Sequence, residues 1–257
     1  MAARFTLFSQ TLYFLGFSIR LLGGAYSYVF RRRRISFRLL ILQILFTFVE
    51  ALGITSLLAL GLGAGVCAVG LPFLSRLSQE RLIYTLLITM ITRELGPLFT
   101  AIIISARSAT AMATEVAGMV ISHEVEAYIS IGIDPIEYLG VPRFLGGTLS
   151  MLMLNSYFSF FGLGASFLVT QAFTPLPAGV YFHNLVQALS LPDILISLGK
   201  SLFCGMAVST IALFEGFAVE HASTEVPVAG LRAVGASLIW CVAINLVFSI
   251  LYYGAMG

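Results

Sequence analysis

Charge is scarce in this chain. Only 10% of its 257 residues are Asp, Glu, Lys or Arg, while 59% are hydrophobic and mean hydropathy is +0.99; a soluble domain carries about a quarter charged residues. A water-soluble fold is therefore excluded. The net charge is only +2, and the run Arg31 to Arg34 just before a long apolar segment reads as a topology signal rather than a nucleic-acid patch. Lysine is nearly missing, since Lys200 is the single one beside thirteen arginines. Cysteine is equally sparse: Cys67, Cys204 and Cys241 each lie in apolar surroundings without paired spacing, which excludes a disulfide framework and a thiolate metal site. His123, His183 and His221 are scattered over separate loops, so no metal and no histidine catalysis is expected. No Gly-x-Ser-x-Gly elbow is present, nor a nucleophile with a sequence-adjacent base. Gly199-Lys200-Ser201 looks like the end of a phosphate-binding loop, but the position five before Gly199 is Ile194 and no strand precedes it. Nucleotide binding and catalysis are not expected of this chain, and no cofactor is implied.

What is present is long apolar runs. A span needs about 20 apolar residues to cross about 30 Å of hydrocarbon. Five stretches qualify, at 39–63, 82–106, 145–172, 194–219 and 233–255. The expected fold is an all-α integral membrane protein, with 1–257 forming one helical membrane domain without internal repeats or low-complexity linkers. Residues 1–34 are ambiguous. Phe5, Leu12, Leu15, Ile19 and Leu22 share a helical face that Ser9, Gln10 and Arg20 interrupt, which favours a helix lying in the interface over a sixth span. This N-terminus lacks a small-residue cleavage site after a short apolar core, so it does not read as a removed signal peptide. With the N-terminus inside, the inner segments hold Arg4, Arg20, Arg31 to Arg34, Arg38, Arg107, Arg143 and Arg232, and the outer ones only Arg76 and Arg81. That asymmetry predicts an inside N-terminus and an outside C-terminus.

The second span breaks the apolar rule at its centre, "ITRELGPLF". An ionised side chain at mid-membrane costs about 2.5 to 3.5 kcal/mol on insertion scales, so Arg93 and Glu94 must face protein or a watery cavity. They stand about 100° apart on a helix, so they cannot share one partner and at least one looks to another helix. Pro97 has no N–H and leaves the carbonyl of Arg93 without its helical bond, which favours a kink at the same level. Glu50 in the first span and Lys200 in the fourth lie at similar depth, Lys200 close enough to the outer side to snorkel. Two readings follow: a buried ion network that fixes helix register, or a polar cavity that meets an amphipathic substrate's head group. An ion-coupled secondary transporter and a purely structural membrane anchor are the competing functions.

The longest inner segment, Arg107 to Arg143, opens with Ala109, Ala113 and Ala117, which permit close helix contact. It then becomes amphipathic, with Val120, Ile121, Val125, Tyr128 and Ile129 near helical spacing around His123, Glu124 and Glu126. Gly132 is placed to end that helix, and Asp134-Pro135 to cap and start the next. Such a helix could dock a cytoplasmic partner or simply tether the loop.

Taken in order, Arg93 to Pro97, Arg107 to Glu115, His123 to Tyr128, Gly132 to Pro135 and Val141 to Arg143 resemble the MlaE/YrbE-type permease family, the membrane subunits of ABC transporters that move lipids with MCE-domain proteins. The likeness runs from about Ile35 to the C-terminus. It implies a homodimer of permeases handling phospholipids, each with an interfacial N-terminal helix and five spans. It also implies a separate ABC ATPase, an MCE-domain protein on the outer side, a small STAS-type cytoplasmic subunit, and residence in a bacterial inner membrane. By the same resemblance, Arg93, Glu94, Pro97, Lys200 and Glu50 belong to a lipid pocket. His123, Glu124, Glu126, Ala127, Tyr128, Ile131, Gly132, Asp134 and Pro135, within a coupling region at 116–143, would contact the ATPase. The segment before the last span departs from the family: Gly216 and Arg232 are kept, but a glycine-rich turn is replaced by Ser223 to Gly230 with Pro227.

Overall fold

The computed structural model describes residues 7–31, 37–76, 82–173, 177–219 and 222–256. Among them the chain is helical without a strand. We label the helices α1 (Leu7–Arg31), α2 (Phe37–Arg76), α3 (Leu82–Ile121), α4 (Glu124–Ser130), α5 (Ile136–Phe173), α6 (Ala178–Ala188), α7 (Leu191–Phe217) and α8 (Glu225–Met256). Helices α2, α3, α5, α7 and α8 are long and apolar enough to cross a membrane, so the five expected spans are present. Arg4, Arg32 to Arg34, Arg81 and His221 lie outside the described residues.

The spans are longer than hydropathy alone suggests. At 1.5 Å per residue, the 40 residues of α3 extend about 60 Å. Arg107 to Ile121 is thus the last third of a span helix and not the opening of a loop. Its alanine-rich sequence favours helix, and its small residues let two neighbours approach. A Cβ on Gly216 of α7 would lie 2.9 Å from the Ala113 carbonyl, and one on Gly230 of α8 3.0 Å from Thr114. Ala109, Met112, Ala113, Met151, Val208 and Ala233 are buried together at this level.

The amphipathic segment is also divided differently. Ser122 closes α3, and His123, at φ 60, turns the chain into the left-handed region before α4 begins. Val120 and Ile121 therefore belong to the span, while Val125, Tyr128 and Ile129 ride on a separate seven-residue helix. The far end follows expectation: Gly132 sits at φ 78, and Asp134 Oδ1 accepts the Ile136 N–H at 2.9 Å. The segment before the last span is mostly helix. Glu225 opens α8 and Pro227 sits in its first turn, where a missing N–H leaves no bond unmade.

Helix α1 packs one face on the bundle. Leu21 and Ala25 join Val116, Val141, Phe144 and Leu213, and Phe14 meets Phe214 edge-on. Leu12, Leu15, Ile19 and Leu22 point the other way and are exposed. Helix α6, which the hydropathy reading passed over, closes the opposite end of the bundle through Tyr181 and Leu185. Burial pushes the Tyr181 phenol up to about 12, and Ser166 satisfies its hydroxyl at 2.8 Å.

Helices α2 and α5 cross in backbone contact. A Cβ on Gly63 would meet the Gly162 carbonyl oxygen at 2.0 Å. Gly63→Ala is therefore expected to cost about 1–3 kcal/mol of overpacking, read as a lower melting temperature of the purified protein; an unchanged melt would contradict the crossing.

Candidate functional site

The irregularity in α3 is larger than one missing bond. Ile88–Leu95 is a π-helical stretch in which the Gly96 N–H reaches Ile91 O, five residues back. Pro97 then has no N–H for either Arg93 or Thr92, four and five residues before it, and both carbonyls are released. Helix α7 takes up both: Ser197 Oγ donates to Thr92 O at 2.7 Å and Lys200 Nζ to Arg93 O at 3.1 Å. Asn155 of α5 holds Ser197 in place through Nδ2 at 2.9 Å. The conformational defect of one span is thus satisfied by side chains of the next, which locks α3, α5 and α7 at one level.

The two charges of α3 use the same faces. Arg93 Nη1 donates to Asp193 Oδ1 at 3.0 Å, and Nη2 to the Tyr253 hydroxyl. Its guanidinium also lies 4.7 Å and 4.9 Å from the ring centres of Tyr252 and Tyr253, within cation–π range. Glu94 Oε2 accepts from Lys200 Nζ at 2.7 Å and from Ser249 Oγ at 2.9 Å. Both charges therefore look to other helices, through separate partners, while Arg93 Nε and Glu94 Oε1 face each other at 3.6 Å. Two cations and two carboxylates balance in a quartet built from α3 and α7 and rimmed by α8.

The quartet is deeply placed. Lys200 is completely buried, and Arg93 and Asp193 are nearly so. Lys200 does not snorkel toward the outer side, because the released carbonyl and Glu94 hold its ammonium inside. Desolvating such ions costs several kcal/mol each, repaid only by pairing; each of the four has a hydrogen-bonded partner here, while Arg93 Nε and Glu94 Oε1 make no hydrogen bond and meet only as an ion pair at 3.6 Å. Asp193 also serves the backbone, since with Ser190 it forms a reciprocal capping box that starts α7.

Glu50 does not join the quartet. It pairs with Arg107, whose Nη2 lies 2.9 Å from Glu50 Oε2 and whose Nη1 donates to the Glu50 carbonyl. Arg107 is fourteen residues beyond Arg93, about 21 Å along the helix, and both partners of this pair are exposed. Depth in the membrane suggested a common site; a 3-10 turn at Val49–Ala51 and a π turn at Ser105–Ala109 instead bring Glu50 and Arg107 together. Sequence reasoning also missed Asp193, Ser249, Tyr252 and Tyr253. A signal was there: Asp193, Ser197 and Lys200 follow the i, i+4, i+7 rhythm of one helical face.

The remaining expected site residues gather at the other end of the bundle. His123 Nδ1 lies 2.9 Å from Glu126 Oε2, and Ser122 Oγ donates to Glu124. Tyr128 packs on Tyr138 at 5.3 Å between ring centres, pinning α4 to the start of α5. Glu124, Glu126, Ala127, Ile129 and Ile131 are exposed, so α4 presents an acidic and apolar surface.

A family model described as Permease MlaE matches residues 40–251. The chain belongs to the MlaE permease family. It is 27% identical over 220 residues to the intermembrane phospholipid transport system permease protein MlaE of Haemophilus influenzae, covering 85% of this chain and 84% of that one. A probable ABC transporter permease protein of Rickettsia typhi is 28% identical over 179 residues, 70% of this chain and 69% of its own. The chloroplastic protein TRIGALACTOSYLDIACYLGLYCEROL 1 of Arabidopsis thaliana is 25% identical over 242 residues, 94% and 69%. Arg93, Glu94, Asp193, Lys200 and Ser249 fall inside the stretch matched to the MlaE family, as does α4; Tyr252 and Tyr253 stand just beyond it.

Proposed function

We propose that the chain is the permease subunit of an ABC-type lipid transporter, which moves phospholipid between the inner membrane and a periplasmic MCE-domain protein while a separate ATPase hydrolyses ATP. The observation that carries this reading is the buried, charge-balanced quartet toward one end of the spans in a member of the MlaE family. A register device needs one ion pair; four ions, two tyrosines and two released carbonyls make a polar wall. Because Glu94 and Asp193 already neutralise Lys200 and Arg93, a lipid phosphate reaches either cation only by exchanging with a carboxylate. That makes the site suited to transient occupation and release, and squeezing of the bundle would drive the exchange.

In this reading two copies of the chain face each other across the lipid path. Helix α1 lies in the interface with its exposed leucines toward lipid, the N-terminus is cytoplasmic and the C-terminus periplasmic. Helix α4 takes the ATPase, with a STAS-type subunit as a further partner. Charge reversal of Glu124 and Glu126 to lysine is expected to weaken ATPase capture severalfold in co-purification; unchanged recovery would argue against α4 as the contact. The transport reading itself is tested by mild-detergent purification followed by mass spectrometry of protein and lipid. An ATPase, an MCE-domain protein and phospholipid are the expected companions. Transport that proceeds without any ATPase and follows a proton gradient would overturn it in favour of a secondary transporter.

A further inference from the structure

A second polar position lies far from the quartet, in a groove of about 530 Å³ between the start of α2 and the end of α3. Its walls are Leu39, Leu42 and Phe46 of α2 with Ala111 of α3, and its polar end is Glu115 with Arg143. Glu115 is twenty-two residues from Arg93, about 33 Å along α3, so the two places are separate.

The polar end is built rather than incidental. Arg143 is buried, and its Nη1 donates to Leu139 O at 3.1 Å and its Nη2 to Glu115 Oε1 at 2.7 Å. Its Nε is buried without a hydrogen-bond partner. The Glu115 side chain, by contrast, is 51% exposed while that of Arg143 is 6% exposed. The buried guanidinium therefore fixes one carboxylate oxygen, and what the groove presents outward is the second oxygen of Glu115, open to a hydrogen-bond donor. The wall beside it starts directly after Arg38, and Leu42 and Phe46 are half exposed. In a membrane helix that sequence of an arginine followed by leucines marks the passage from head groups to hydrocarbon.

We infer that this groove seats one zwitterionic phospholipid carrying a primary ammonium, with the ammonium on Glu115 and an acyl chain along Leu39, Leu42 and Phe46. Three features select that class. The open carboxylate oxygen accepts a donor; a primary ammonium has three N–H groups to donate, whereas a quaternary one has none; and a charged donor makes a stronger bond to a carboxylate than the neutral hydroxyls of a glycerol head group. The volume is that of a small-molecule site. The inference concerns binding and does not rest on the transport reading.

The test is native mass spectrometry of the purified full chain taken from nanodiscs holding equal parts phosphatidylethanolamine, phosphatidylcholine and phosphatidylglycerol. Retained phosphatidylethanolamine is expected to exceed phosphatidylcholine by about tenfold, the weight of one charge-assisted hydrogen bond. Glu115→Gln removes the charge, and Leu42→Trp fills the groove without touching the ion pair; both are expected to abolish the preference. Equal retention of the three lipids by the unaltered chain, or a preference that survives either variant in a folded protein, overturns the proposal. If Glu115→Gln fails to fold, Leu42→Trp decides alone. The assay needs no ATPase, so its failure leaves the transport reading standing, and loss of transport in quartet variants leaves the groove untouched.

Discussion

Arg93→Glu is expected to abolish lipid transfer and to destabilise the protein by about 3–5 kcal/mol, the range for stripping a buried ion pair of one partner. The substitution removes the cation between Asp193, Tyr252 and Tyr253 and places a third carboxylate beside Glu94 and Asp193, with Lys200 alone to oppose them. The stability loss would appear as a lower melting temperature in detergent, and the transport loss in a vesicle-to-vesicle lipid-transfer assay. The two effects separate in the double variant Arg93→Met with Asp193→Asn. Removing both partners of a buried pair restores much of the stability that removing one destroys, so the double variant should melt well above Arg93→Glu while lipid transfer stays lost. Transfer that returns along with stability would mean that the pair only holds the helices in register.

Lys200→Met is the second large effect. Its ammonium serves three groups at once: the Glu94 carboxylate, the Ser249 hydroxyl and the carbonyl that Pro97 releases from Arg93. Methionine fills the same volume but leaves the Glu94 carboxylate with only Ser249 Oγ and Arg93 Nε at 3.6 Å, and leaves the carbonyl without its donor, again about 3–5 kcal/mol. Adding Glu94→Gln removes the stranded charge and should recover most of the melting temperature, though the Arg93 carbonyl stays unpaired. If Lys200→Met alone melts like the unaltered protein, the pairing seen around Lys200 is not what holds α3 to α7.

The two variants also show why part of this site was readable in the sequence and part was not. Charges in a membrane span stand out against an apolar background, so Arg93, Glu94 and Lys200 were identified by residue type and depth, and Pro97 by its missing donor. Hydropathy bounds do not fix depth. Glu50 was expected at the level of Arg93, but it pairs with Arg107, about 21 Å along α3 from Arg93, and neither the 3-10 turn beside Glu50 nor the π turn at Arg107 has a composition that announces it. Asp193 was hidden because it stands just before the apolar stretch that begins at residue 194, in the first turn of α7. The tyrosines were hidden because aromatics near a span end are common at membrane interfaces.

At the level of the fold, the five spans followed directly from hydropathy, whereas their ends did not. Arg107 to Ile121 loses hydropathy but keeps helix propensity, so the helix continues after the membrane signal stops. The break at His123 is the opposite case. A periodic apolar pattern from Val120 to Ile129 runs across a turn that the side-chain pattern conceals, and only the backbone at φ 60 discloses it. Where a glycine was demanded, as at Gly132, the sequence was explicit.

The measurement that bears most directly on the account is ATP-driven lipid transfer by the chain reconstituted with its co-purified ATPase, comparing the unaltered protein with the double variant Lys200→Met, Glu94→Gln. The account predicts that the double variant folds, captures the ATPase and moves no lipid above background. Full ATP-dependent transfer by that variant would contradict it.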